Sequence, residues 1–528
     1  MTGSNGSGAD RRDVVVLGGG VAGAATAILV RRAHPEARVL IVEAARSFPR
    51  KVGESAIEIS SWFLTRVLGL DRHLIFHQVP KHGLRFWFQN ERVRTLADAS
   101  ELGNRYQAKV PSWHIDRGIL DEAVLARAVE AGVEVRRPAR VARVELREGG
   151  ESTVEVEDER GTGTVRARWI VDATGRRTLL ARQLGLREPM PEHPIHSIWR
   201  RYRNTRDFDG DWIPGPRQGL GTPVCARGFS TNHLTGPGWW IWVIPLPGGE
   251  HSVGIVWDER VLDFPFGRDL DERFEAFVRS VPYGRELLEG AEPVPDDLHA
   301  LRNLPYRVTR YCGDGWALVG DAGGFFDPLY SMGLDFAAIS ATWTSRLVCA
   351  TLCRRDVAAM VERHNRAFAV GRRRWFEAIY RDKYLYLGDA ELMEVALRMD
   401  VAGYYFGIVS PPYRDGPAGL AVNFEPSLSL PFYWMLRFVN RRLARIARHR
   451  FALGCFGRAN AGRKVYLPGF QLGRSSLKFF PGALTRLFKL ELVTLGQRVA
   501  HALGLKVLGL PRASAPSSVP TGLSTSRQ

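Results

Sequence analysis

Short apolar runs, not long amphipathic stripes, dominate the first half of the chain. Asp13-Val-Val-Val-Leu17 and Arg38-Val-Leu-Ile-Val42 have the length and unbroken apolar character of strands buried on both faces. The small residues Ala24 to Val30 between them fit a helix packed closely on such a sheet. Pro80 to Phe88 reads as an alternating strand. Leu84, Phe86 and Phe88 fall on one face, and Lys81, Gly83, Arg85 and Trp87 on the other. Gly238 to Pro245 is apolar on both faces, with Trp240, Trp242 and Ile244 on one and Trp239, Ile241 and Val243 on the other. After Tyr380 the period becomes helical, and Phe432, Leu436, Val439, Leu443 and Ile446 form a stripe with arginines at other positions. This order predicts an α/β fold with a second sheet and a helical C-terminal region. No uncharged apolar run reaches the roughly 18 residues of a membrane-crossing helix.

The turn after the first strand reads Gly18-Gly-Gly20-Val21-Ala22-Gly23, and the second strand ends at Glu43, twenty residues after the last glycine. Strand, glycine turn, helix, strand and acid in that order make a dinucleotide cradle. Gly18 permits the turn, Gly20 lets a pyrophosphate approach the backbone, and Gly23 lets helix and strand close on each other. The backbone N–H groups at Val21 and Ala22 open the helix, whose N-terminus favours phosphate, and Glu43 can accept from a ribose hydroxyl.

Which dinucleotide is bound follows from resemblance. Trp316-Ala-Leu-Val-Gly-Asp321-Ala resembles the Gly-Asp motif of glutathione-reductase-type FAD proteins, which implies that Asp321 holds the ribityl chain. His114-Ile-Asp-Arg117 followed by Leu120-Asp121 resembles the helix start of that superfamily, where the arginine, here Arg117, reaches the phosphates or adenine side. Ile170-Val-Asp-Ala-Thr-Gly-Arg176 resembles the strand and turn that close the FAD domain. FAD is the implied cofactor. Related hydroxylases that bind NADPH carry Asp-Gly at this last turn, where this chain has Thr174-Gly175. The departure implies that FADH2 comes from a separate flavin reductase. The expected architecture is a Rossmann-like FAD-binding domain over 13–350, in pieces at about 13–60, 105–185 and 300–350. An inserted β-sheet substrate domain takes about 60–104 and 186–300, and a helical basic region follows over 351–512. Residues 1–12 and 513–528 are expected to be a disordered lead and tail.

Within that frame, Trp240-x-Trp242-x-Ile244-Pro245 resembles the signature of the flavin-dependent halogenases, where the aromatic wall keeps organic substrate from the flavin. Read alone, the same stretch is a core strand with large aromatics. Lys81, alone, is a solvated lysine at a strand end. The family places an essential lysine about 27 residues after a Gly-Glu motif, and Gly53-Glu54-Ser55 stands at that spacing, which implies a catalytic Lys81. An ammonium can hydrogen-bond hypohalous acid and an amine can carry the halogen, and burial decides between them. Ser331, Met332 and Gly333 would present backbone N–H groups to chloride or bromide at a helix start, with Gly333 also at the isoalloxazine edge. The alternative is a turn and helix that hold flavin and no halide. The tryptophan-halogenating branch has a glutamate where this chain has Tyr330, so a phenol or pyrrole, free or carrier-tethered, is the implied substrate type. Two other functions stay open: a monooxygenase or reductase of the same frame without halide, and a flavin-binding docking protein without turnover.

Charge and cysteines add partners and setting. From Val401 onward 18 Lys and Arg stand against Asp415, Glu425 and Glu491, which accounts for nearly all of the net +17. Such a region fits an ordinary helix surface, an acidic carrier protein or peripheral contact with an anionic membrane, while no nucleic-acid module accompanies the charge. Cys225, Cys312, Cys349, Cys353 and Cys455 form no C-x-x-C pair, so no metal site is expected. Each reads as a small buried residue in a reducing, cytoplasmic setting.

Overall fold

The valine run of the first strand owes its unbroken apolar character to what surrounds it. In the computed structural model, Asp10–Leu17 lies parallel to Val39–Val42 on one side and to Gly161–Asp172 on the other. Val14 to Leu17 are fully buried. Glu134–Arg136 continues this parallel sheet beyond Val39–Val42, and Trp316–Leu318 continues it beyond Gly161–Asp172. The helices Val21–Ala33 and Gly333–Leu352 pack against each other. The parallel order brings the ends of the first strand, Asp172 and Leu318 to one edge, where the glycine turn and the Gly-Asp turn meet. The structure describes residues 10–106, 110–210, 213, 226–264, 269–420, 426–468 and 472–503. Residues 1–9 of the expected lead, and the expected tail, lie outside the described residues; 10–12 belong to the first strand.

A nine-stranded second sheet has the central order Ile195–Arg203, His251–Asp258, Trp239–Pro245, Thr231–Gly236, Leu84–Phe88, Ser100–Asn104 and Lys464–Leu467. The tryptophan strand is central, paired along both edges, and each of its faces is covered by its own core. Trp240, Trp242 and Ile244 pack into the large core shared with the first sheet and the C-terminal helices. Trp239, Ile241 and Val243 pack into a separate core with Trp87, Tyr283 and Phe274. Period-two alternation has sorted one strand into two interiors. The strand Leu84–Phe88 starts later than its sequence pattern suggests. Lys81 lies in the link between it and a two-residue strand, Val79–Pro80.

The C-terminal region is anchored, not draped over the surface. Lys464–Leu467 pairs parallel with Ser100–Asn104, so this region supplies a strand of the second sheet. Arg450 donates to both oxygens of Asp389 at 2.7 and 2.8 Å, with both side chains almost inaccessible. Burying such a pair costs desolvation that only close, complete pairing offsets, so the contact ties helix Pro426–Ala452 firmly to helix Ala390–Tyr404. Leu436, Val439, Leu443 and Ile446 of the expected stripe are buried, while Phe432 is half-buried. Cys312 and Cys455 are buried and Cys349 half-buried, but Cys353, at the end of helix Gly333–Leu352, is exposed. Among the described residues no helix is long and apolar enough to cross a membrane, and no cluster of three or more metal-ligating side chains occurs.

Candidate active site

The cofactor cradle is built by close approach. Gly18 has φ +100°, which a side chain would strain, and a Cβ there would meet the Ala173 carbonyl at 2.7 Å. At Gly23 a Cβ would lie 2.0 Å from the Gly18 carbonyl oxygen, so only glycine lets the helix sit this near the turn. Gly20 is different: the nearest atoms to its Cβ position are Asp121 Oδ2 at 3.6 Å and Lys51 Nζ at 3.7 Å. The space ahead of Gly20 is thus bounded by polar side chains and suits a pyrophosphate. Lys51 Nζ lies 2.5 Å from Asp121, and Arg117 Nη2 3.0 Å from the same carboxylate. Burial alone would raise Asp121, but Arg117 and Lys51 hold it below its ordinary value. Lys51, which no motif singled out, joins Arg117 as a cation at this edge. Glu43 accepts from Gly19 N–H at 2.7 Å and Ala45 N–H at 2.8 Å, which fixes it beside the turn with lone pairs left for a hydroxyl.

The second half of the cradle is held from the C-terminal side. Asp321 lies on the Gly-Asp turn, and its carboxyl is raised by burial. Gly320 N–H donates to Ser340 Oγ at 2.9 Å, and buried Arg372 donates to the Gly323 carbonyl at 3.0 Å and to that of Gly324. Arg372 is a structural clamp that sequence inspection passed over. At the closing turn, Asp172 accepts from Thr174 N–H and Oγ–H and from Leu180 N–H at 2.6–2.9 Å. Ahead of the long helix, Tyr330 and Ser331 take left-handed φ values of +68° and +60°, which is strained backbone for side chains of this kind. Met332 precedes the helix start at Gly333, and no atom lies within 4 Å of a Cβ built at Gly333. The first N–H groups of a helix have no partner within it, so this start can seat an anion or a flavin edge.

Lys81 is the centre of the second half of the site. Strands Ser55–Ala56 and Val79–Pro80 both pair with Trp113–His114, and Ser55 and Val79 both face His114 in that register. The spacing between the Gly-Glu motif and the lysine closes through this small sheet. Glu54 is locked in a buried pair with Arg201 (3.0 and 2.6 Å), and Lys81 Nζ donates to Ser55 Oγ at 2.7 Å. Lys81 is only 4% exposed, so it is not a solvated strand-end lysine. Desolvation lowers its pKa to about 8, opposed by the charges of Glu58 and Asp335. Desolvation and the Lys81 charge hold neighbouring His114 well below its ordinary value.

The lysine lines a cavity of about 70 Å³ together with Glu58, Tyr330, Met332, Tyr404 and Asp400. Tyr405 donates to Glu58 at 2.6 Å, and Tyr404 donates at 2.9 Å to Asp335, whose carboxyl burial pushes up to about 7. Buried Asp400 takes hydrogen bonds on Oδ2 from Tyr330 (3.1 Å) and Lys383 (2.5 Å), while its Oδ1 has no partner among the described residues. Asp400, Trp375, Ile379 and Tyr404 also wall an outer cavity of about 430 Å³. Trp240 and Trp242 do not line the inner cavity. They are buried, with Trp240 Nε1 donating to Tyr384 and Trp242 Nε1 to Ser252, both at 3.0 Å.

Comparison with known proteins agrees with this geometry. Residues 11–206 match the family model described as an FAD binding domain. The chain is 25% identical over 443 residues to flavin-dependent halogenase chlA of Dictyostelium discoideum, a match covering 76% of this chain and 70% of that one. It is 32% identical over 352 residues to tetracycline 7-halogenase of Kitasatospora aureofaciens, covering 61% of this chain and 60% of the relative. The crystal structure of halogenase PltM in complex with phloroglucinol and FAD superposes with a TM-score of 0.72 at 19% identity, over 91% of this chain and 96% of PltM, which establishes the shared fold. The glycine cradle and the Gly-Asp turn fit the FAD binding domain model, and over the matched lengths the chain is similar to flavin-dependent halogenases.

Proposed function

We propose that this protein halogenates an electron-rich aromatic of phenol or pyrrole type and that Lys81 holds the halogen electrophile beside the ring. The observation that carries the reading is a buried lysine, lowered only to about 8, that faces a cavity instead of solvent. Gly18, Gly20, Gly23, Lys51, Arg117 and Asp321 would hold FAD, and the helix start at Ser331, Met332 and Gly333 would hold the halide. Bound reduced FAD, supplied by a separate reductase, provides with oxygen and chloride or bromide the oxidised halogen. Trp240 and Trp242, buried and fixed by hydrogen bonds, serve to keep substrate on the lysine side.

The remaining chemistry belongs to side chains. One N–H of the Lys81 ammonium is engaged by Ser55, leaving two for the oxygen of hypohalous acid. That bond localises the acid and weakens its oxygen–halogen bond. As the ring carbon takes the halogen, the departing oxygen takes a proton from Lys81, and the proton lost from the ring restores it. The sum is arene plus hypohalous acid giving aryl halide plus water. Asp400, neutralised by Lys383 on one oxygen, offers the other to a substrate hydroxyl or N–H, which orients the ring and makes it more electron-rich. Phloroglucinol, the ligand in the PltM complex, is a phenol and suits this chemistry.

The test is product mass spectrometry with a flavin reductase, FAD, chloride or bromide, and a panel of phenols and pyrroles, free and carrier-tethered. A halogenated product is expected. Hydroxylated product without halogen would make the protein a monooxygenase of the same frame.

A further inference from the structure

The helix Phe479–Ala502 wears its apolar side outward. It turns Ala483, Leu487, Thr494 and Gln497 to the protein, with Thr494 and Gln497 at 5% and 7% exposure. Leu484, Phe488, Leu492, Leu495 and Val499 face away, Phe488 at 64% and Leu495 at 57% exposure. Their spacings of four, four, three and four residues make one stripe along the helix. Two polar side chains buried and five apolar ones bare is the reverse of what water selects, and marks a surface meant to be covered.

The neighbouring helix Pro426–Ala452 repeats the feature and adds charge. Trp434 and Phe438 are each 57% exposed, and the same face continues as exposed Arg441, Arg445 and Arg448. Arg442 pairs with Glu491 at 2.5 Å and Phe432 packs on Phe480, which ties the two helices side by side. Each helix shows the face opposite its buried stripe, so apolar and basic positions share one outer surface.

The charge selects the occupant. The two helices carry nine Lys and Arg against one acid, Glu491, so a second copy meeting this surface would bring arginine against arginine. An anionic bilayer meets the arginines with opposite charge and accepts the apolar stripe at its acyl boundary. We propose that these two helices dock the protein on an anionic membrane surface. The longer helix also walls the outer cavity through Phe432, Tyr433 and Leu436, which sets that cavity behind the docking face. Docking needs no turnover, so it is tested apart from the halogenation reading.

The experiment is co-sedimentation of the full FAD-loaded chain with vesicles of phosphatidylcholine alone or with about a third phosphatidylglycerol. Binding at least roughly tenfold tighter to the anionic vesicles is expected, weakening as salt rises. Arg441→Gln with Arg445→Gln and Arg448→Gln should cost about tenfold or more, as should Phe488→Asp with Leu492→Asp. These positions are exposed, so FAD content and melting temperature should not change. If the Phe488/Leu492 pair fails to fold, Trp434→Ser with Phe438→Ser on the other helix provides the same test. The proposal is overturned by a wild type that ignores anionic vesicles or by folded variants that bind as it does. It is also overturned by a dimer that Phe488→Asp makes monomeric in a protein that binds no vesicles.

Discussion

The FAD cradle and the lysine cavity follow opposite plans. The cradle's core comes from one contiguous stretch, strand through Glu43, which presents backbone, and Lys51, Arg117 and Asp121 add paired charges beside it. The cavity gathers Glu58, Lys81, Tyr330, Asp400 and Tyr404 from distant stretches, and burial there lowers Lys81 to about 8 and raises Asp335, which Tyr404 contacts, to about 7. A site that must hold a polyanion can rely on turn geometry, which tolerates little side-chain volume. A site proposed to control one proton and one halogen relies on desolvation, which tolerates little change of charge.

The sharpest break between the two is Lys81→Ala. It should cut halogenated product by about 10³-fold, the scale of losing a positioned proton donor. FAD content and oxygen consumption with reduced FAD should persist, as an oxygen electrode and product mass spectrometry will read. Product formation within tenfold of wild type would remove Lys81 from the chemistry. Within the cradle, two glycines should fail differently. Gly23→Val meets the Gly18 carbonyl and should destabilise the fold by about 3 kcal/mol or more, seen as a large fall in melting temperature. Gly20→Val has room in the chain itself, so the apoprotein should melt normally yet retain no FAD.

The pH profile sharpens the cavity side. If the ammonium is the working form, turnover is level below about 8 and falls as pH rises through it, because deprotonation removes the donor. A rate that instead climbs through pH 8 would assign the work to the amine. The smallest effect belongs to Lys51→Ala, which should weaken FAD binding by about three- to tenfold, most visibly at low salt. Titration of the apoprotein with FAD at two ionic strengths measures it; unchanged affinity would return Lys51 to an Asp121 partner only.

Legibility in the sequence followed the same division. The glycine turn, Glu43 and the two-faced tryptophan strand were readable because strand and turn periodicity act over a few residues, whereas Asp321 was reached through resemblance. The lysine was reached through resemblance, and its burial only through the structure, since Ser55, His114 and Val79 are brought together by pairing across about sixty residues. Asp400, Lys383, Tyr404 and Arg372 stayed hidden because a helical period says which residues share a face but not what that face meets. The strand Lys464–Leu467, inside a stretch that reads as helical and basic, earns its place by a parallel partner more than 350 residues earlier, at Ser100–Asn104.

The three-stranded ladder through Trp113–His114 separates two design variables. The lysine's station is set by backbone register with Ser55, whereas much of the cavity wall comes from the helices Ala358–Trp375 and Ala390–Tyr404 and their neighbours. On the proposed reading, wall residues of those helices other than Asp400 and Tyr404, such as Trp375, Leu397 and Val401, can be exchanged to fit a different ring while Lys81 stays where it is. In this architecture substrate range can drift under selection without renegotiating the chemistry.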